Sequence, residues 1–177
     1  RGAMDLALAF HYHGDAEMQR AMAALDHENM RYSERVAKAI SLRLELAAPD
    51  KEAVRRGVTF FSLPIHASDG ARAIWHTADC IWNALGDTSR DVNWYTKRMT
   101  LSAVYSSCVL FWLGDESAGH DETEAFINRR IENVMRFEKA KSKLRDSPLG
   151  KAFKAGPGKF FDKVRAPIWP EDNNQQE

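Results

Sequence analysis

Apolar residues recur along this chain at three- and four-residue intervals, and the period-two alternation of a half-buried strand is hard to find. The spacing predicts an all-α protein. A first helix is expected near Met4 to His11, a second from about Asp15 to Leu25, and a third from about Tyr32 to Leu46, where Val36, Ile40 and Leu44 fall on one line. Pro49 closes the third. Asp50 is placed to cap residues 51–63 by accepting a first-turn N–H, and Pro64 ends that piece. Within residues 70–85, Ala71, Ile74, Trp75, Ala78, Ile81, Trp82 and Leu85 form one amphipathic stripe, terminated by Gly86. Thr88 and Asp91 have the spacing of a capping box for the next helix. Its second half, Leu101 to Leu113, is apolar nearly all round, which predicts a central helix enclosed by others. Gly114 stops it. Asp121 and Glu124 resemble another capping box, and Ile127, Ile131 and Val134 line a last helix whose stripe fades beyond Arg136.

Composition narrows the class. The 177 residues are 44% apolar and 28% charged, which suits one folded domain with its own core. Cys80 and Cys108 lie in apolar stretches far from any CxxC spacing, so neither a disulfide framework nor a zinc site is expected. No signal peptide and no uninterrupted apolar run of membrane-spanning length is found. The chain opens with Arg1 instead of methionine and reaches a helical pattern within a few residues, so it is expected to be a fragment with upstream residues missing. The 25 basic and 25 acidic residues cancel, but residues 139–165 hold nine Lys and Arg against Asp146 and Asp162. An acidic body therefore carries a basic tail, able to feel an anionic surface within about 8 Å at physiological salt.

The phosphate-cradling loops and nucleophile elbows of common enzymes are absent, as is the Glu-x-x-His pair of a di-iron bundle. His11 and His13 are two apart and project to different sides of a helix, which does not favour joint ligation. His76 and Asp79 share a face and read as a hydrogen-bonded pair at the edge of the core, and His66 as a loop residue. No catalytic residue, metal or cofactor is expected.

One stretch asks for more. On a helical wheel Trp94, Arg98, Leu101, Tyr105, Cys108 and Trp112 form one stripe, with Asp91 and Tyr95 flanking its start. Burial explains the lower part, not the first turn. Two readings stand: Arg98 stacks on Trp94 as an exposed cation–π pair while Asp91 complements the helix dipole, or the four residues form a partner-binding patch. The segment "GDTSRDVNWYTKRMTLSAVY", with "DLALAFHYHGD" near the start and "INRRIENVMRFEKAK" later, resembles the ubiquinone-biosynthesis accessory proteins of the Coq nine family. The resemblance covers roughly residues 4–140. It implies a TetR-regulator-like helical bundle, homodimeric and non-catalytic, that holds an isoprenoid quinone precursor and presents it to a di-iron hydroxylase. It also implies that Asp91, Trp94, Tyr95 and Arg98 face that partner, with the indole outward. The family's N-terminal helix-turn-helix-like segment has no counterpart here.

Carrying a prenylated molecule requires apolar lining, and Phe60, Phe61, Trp75, Trp82, Met99, Phe111, Trp112 and Phe126 are the candidate walls, with plain core as the alternative for each. The expected organisation is a helical lipid-binding and dimerisation domain at 1–140, a basic amphipathic membrane-docking segment at 141–166 and a disordered polar tail at 167–177. In the docking segment Leu149, Phe153, Phe160, Phe161 and Val164 supply apolar area and Lys151, Lys154 and Lys163 the charge. The alternative is a tail folded back on the protein. Expected partners are thus a lipid, the hydroxylase, a membrane surface and a second copy, with no nucleic acid. The expected location is peripheral, at the cytoplasmic face of a bacterial inner membrane or the matrix face of the mitochondrial one. The rival function is the ligand-sensing domain of a TetR-type transcription regulator; an unrecognised enzyme is the weakest.

Overall fold

A computed structural model of the chain describes residues 2–26, 29–146 and 164–167. Six α-helices account for most of them: α1 (Ala3–Ala23), α2 (Tyr32–Ala47), α3 (Lys51–Phe61), α4 (Ala67–Ala84), α5 (Val92–Gly114) and α6 (Asp121–Asp146). Among the described residues there is no strand, so the all-α expectation holds. The packing closes a ring in which α1 touches α2, α2 touches α6, α6 touches α5, α5 touches α4 and α4 returns to α1. Met18, Ile40, Ile81, Cys108, Trp112 and Ile127 meet in its centre, and α3 leans on α4 from outside.

The first two expected helices are one. Gly14, which lies between the two expected spans, is inside α1 and serves a close approach: a Cβ there would stand 2.6 Å from the Arg43 guanidinium carbon. Asp50 precedes α3 without a side-chain cap bond, and α5 begins three residues later than a capping box led by Thr88 would have it, with Asp91 itself as the cap, its Oδ1 accepting from the Asn93 N–H at 3.0 Å. Gly86, at φ +72°, turns the chain out of α4 as expected. At the start of α6 it is Asp115 that takes the Thr123 N–H, at 2.9 Å, so the cap comes from the preceding loop instead of from Asp121.

α5 is less enclosed than its composition suggests. Leu101, Val104, Tyr105, Cys108 and Trp112 are buried, but Met99, Ala103 and Leu110 lie on a face left open to solvent. α6 runs without interruption through residue 140, the expected domain edge, to Asp146. No helix of the described residues is long and apolar enough to cross a membrane.

Candidate functional site

The first turn of α5 gathers its aromatic and charged residues against α4. Trp94 packs beside Trp75 of α4, ring centroids 5.9 Å apart, and meets Tyr95 edge-on at 4.8 Å. Arg98 lies over the indole, its Cζ 4.0 Å from the ring centre. Its Nε donates to Asp79 Oδ1 at 2.5 Å, Nη1 to Asp87 Oδ2 at 3.1 Å, and Nη2 to Asn83 Oδ1 at 3.3 Å. Lys97 donates to the other oxygen of Asp87 at 2.7 Å. Burial would push the Asp87 carboxyl up, but hydrogen bonds from Lys97, Ser89 and Arg98 prevail and hold it down at about 2.

Trp94 is only 8% exposed and Arg98 1%, so the expectation of an outward indole beside an exposed guanidinium is corrected. The cause is electrostatic. Asp79 and Asp87 give the guanidinium three acceptors with Asn83, and a cation so satisfied can be buried with the indole beneath it. Asp91 stays exposed and Tyr95 half-buried. His76 and Asp79, expected to pair, diverge instead: Asp79 serves Arg98, and His76 reaches across to α1.

The chain's own C-terminal segment comes back to this turn. The Ala166 N–H donates to the Arg90 carbonyl at 3.0 Å, and the Tyr95 hydroxyl donates to the Arg165 carbonyl at 3.2 Å. Ala166 is buried there and Val164 half-buried, so residues 164–167 fold back on the body. Leu149, Lys151, Phe153, Lys154, Phe160, Phe161 and Lys163 lie outside the described residues.

The candidate lining residues do not surround one space. Phe60 stacks on His66 at 4.1 Å beside an open groove, and Phe61 abuts Gly70 at the α3–α4 corner. Trp75 belongs to the α5 turn, and Trp82 packs against Tyr32 at 5.9 Å. Phe111 and Phe126 stack at 4.2 Å to join α5 to α6, and Trp112 is core. Met99 is 63% exposed. The cavity beside Trp112, about 50 Å³, is water-sized. Each ring seals a different helix contact, which is why sequence alone cannot tell wall from core.

A second concentration of polar groups was invisible in the sequence because its members are far apart in it. Asp15 of α1, fully buried, accepts from Arg43 Nε of α2 at 2.9 Å, from Thr77 Oγ1 of α4 at 2.9 Å and from His76 Nδ1 at 2.8 Å. Cys80 Sγ lies 3.6 Å from the same Nδ1. Hydrogen bonding to Asp15, then to Cys80, pushes His76 up to about 10. His11 turns inward to Thr77 and Ala73 while His13 faces solvent near Glu17, so the two project apart as their spacing requires.

The geometry defines an all-α bundle whose polar chemistry is spent mostly on holding helices together, with one aromatic turn that stays partly exposed at Asp91 and Tyr95. Residues 67–138, from the start of α4 through most of α6, match the COQ9 family model. The chain is 30% identical over 114 residues to the probable ubiquinone biosynthesis protein coq9, mitochondrial, of Dictyostelium discoideum, covering 64% of this chain and 37% of that protein. It is 27% identical over 119 residues to the mitochondrial ubiquinone biosynthesis protein COQ9 of Homo sapiens, covering 67% and 37%. A Xenopus tropicalis COQ9 is 31% identical over 97 residues, covering 55% and 31%. The match over residues 67–138 and these relatives support a COQ9-family protein, and the matched part of the chain spans about a third of the length of these relatives.

Proposed function

We propose that the chain acts in ubiquinone biosynthesis as a non-catalytic accessory that binds an isoprenoid quinone precursor and presents it at a membrane surface to a di-iron hydroxylase. The observation that carries this reading is the family match across α4 to α6, which includes the aromatic turn, together with relatives named as ubiquinone biosynthesis proteins. In this reading Asp91 and Tyr95 meet the hydroxylase, and Trp94 and Arg98 hold the turn in shape beneath them. The cargo does not need an interior tunnel. Met99 and Leu110 of α5 and Met135 and Phe137 of α6 leave apolar area exposed, and each buried CH₂ of a prenyl chain laid there, or between two copies, would gain about 0.8 kcal/mol. The basic stretch 139–165 supplies attraction to anionic lipid, consistent with a peripheral position and with relatives named as mitochondrial.

The test has two arms. Native mass spectrometry of protein purified from cells is expected to reveal a co-purifying prenyl lipid, and immobilised hydroxylase is expected to bind the chain, more weakly when Tyr95→Ala is introduced. Absence of lipid together with absence of hydroxylase binding would remove the proposal. Turnover of precursor by this chain alone would replace it with an enzyme.

A further inference from the structure

Asp15, His76 and Cys80 bring a carboxylate oxygen, an imidazole nitrogen and a sulfur within 4.8 Å of one another. Two features distinguish this from an ordinary buried network. First, the three donors are of the kinds a borderline divalent cation takes together, and His76 and Cys80 stand one helical turn apart on the same face of α4, a chelating spacing. Second, the distances are near those a metal would impose. With metal–nitrogen and metal–oxygen bonds of about 2.05 Å and a metal–sulfur bond of about 2.3 Å at tetrahedral angles, nitrogen and sulfur lie roughly 3.6 Å apart and nitrogen and oxygen about 3.3 Å. The structure has 3.6 Å for Cys80 Sγ to His76 Nδ1 and 2.8 Å for His76 Nδ1 to Asp15 Oδ2. Cys80 Sγ is also 3.8 Å from His76 Nε2, so it lies to the side of the ring: binding requires the half-exposed imidazole to swing Nδ1 towards the sulfur and the carboxylate to open by about half an ångström.

The surroundings complete the arrangement. Arg43 holds Asp15 through Oδ1, reaching it across Gly14, while Oδ2 faces His76 at 2.8 Å with Thr77 Oγ1 at 3.1 Å and His11 Nε2 at 3.6 Å. The Tyr12 ring packs edge-on against the imidazole, centroids 4.6 Å apart. Such outer partners are what orient metal ligands. The His76 side chain is 46% exposed, so an ion has a way in and a water can fill the fourth position.

We propose that Asp15, His76 and Cys80 form a zinc-type divalent cation site that clamps α1 to α4. On binding, the Cys80 thiol and His76 Nδ1–H each give a proton to solvent, and the ion takes the place of the hydrogen between His76 Nδ1 and Asp15 Oδ2. The ion's role is structural, since it joins residues on two helices that lie more than 60 positions apart in the chain.

The test uses the full chain stripped by chelator and titrated with Co²⁺ as a spectroscopic substitute. The expected result is a thiolate-to-cobalt charge-transfer band with tetrahedral d–d bands, saturating at one ion per chain and bleached by Zn²⁺. Cys80→Ser is expected to abolish the charge-transfer band. His76→Gln, at a half-exposed position that leaves the core intact, is expected to weaken Co²⁺ binding by more than the about 10- to 100-fold that loss of an outer-shell partner costs. Zn²⁺ is also expected to raise the melting temperature of the unmodified chain and not of either variant. A weak octahedral spectrum without a sulfur band, or equal Co²⁺ affinity in the His76→Gln variant, would overturn the assignment and leave Asp15 as a purely hydrogen-bonded residue.

Discussion

Arg98 offers the sharpest quantitative check on the reinterpretation of the α5 turn. If its guanidinium is the buried tie between α4 and α5 that the geometry describes, Arg98→Ala should act on stability first. Breaking a buried ion pair costs about 3–5 kcal/mol, mostly because the partner charge is left without compensation. Here the partners are not wholly stranded: Asp87 keeps Lys97 and Ser89, and Asp79 keeps the Asn83 amide at 3.1 Å and some solvent. The ion-pair loss therefore falls at the low end, about 3 kcal/mol. The cation–π contact with Trp94 adds about 1 kcal/mol. A loss of roughly 3–4 kcal/mol is expected, which for a urea m-value of about 2 kcal/mol/M moves the unfolding midpoint down by about 1.5–2 M. Arg98→Lys should recover only part of it, since an ammonium cannot serve three acceptors in the guanidinium's plane. Equilibrium unfolding followed by far-UV circular dichroism reads the shift. A midpoint change below about 0.5 M, roughly 1 kcal/mol, would refute the burial argument and restore Arg98 as a surface contact.

Two further outcomes follow from other contacts. Gly14→Ala should gain about 1 kcal/mol of helix propensity yet destabilise overall by about 2 kcal/mol, because the new methyl displaces the guanidinium that neutralises buried Asp15; a higher melting temperature would show that Arg43 can move aside at little cost. Asp87, held at about 2 from an ordinary value near 3.8, binds its proton less readily folded than unfolded, so its stabilisation is complete above about pH 4 and fades as pH falls towards 2. The stability gap between the unmodified chain and Asp87→Asn, measured by urea unfolding, should be flat from pH 5 to 7 and narrow below 4; a gap that widens on acidification would contradict the sign.

Why some features were readable from letters and others not comes down to the range of the interactions. Helix spans over residues 32–47 and 67–84 and the Gly86 turn rest on neighbours within four residues, and periodicity with turn chemistry exposes them directly. The aromatic and charged composition of the α5 turn was equally visible. Its orientation was not, because the acceptors that draw Arg98 inward, Asp79 and Asp87, lie 19 and 11 residues upstream, and only the α4–α5 hairpin brings them there. Gly14 shows the limit most plainly: it falls between two helices expected from the local pattern, and the tertiary fold uses it, within one helix, as the gap through which Arg43 reaches Asp15. The sequence by itself determined an all-α chain, its main helix ends and a basic tail, since these depend on local hydrogen bonding, side-chain period and counted charge. Tertiary packing alone decided which large apolar rings became core, which charges were neutralised across helices, and that Asp15, His76 and Cys80 meet, because burial and long-range electrostatics depend on distances that chain position does not encode.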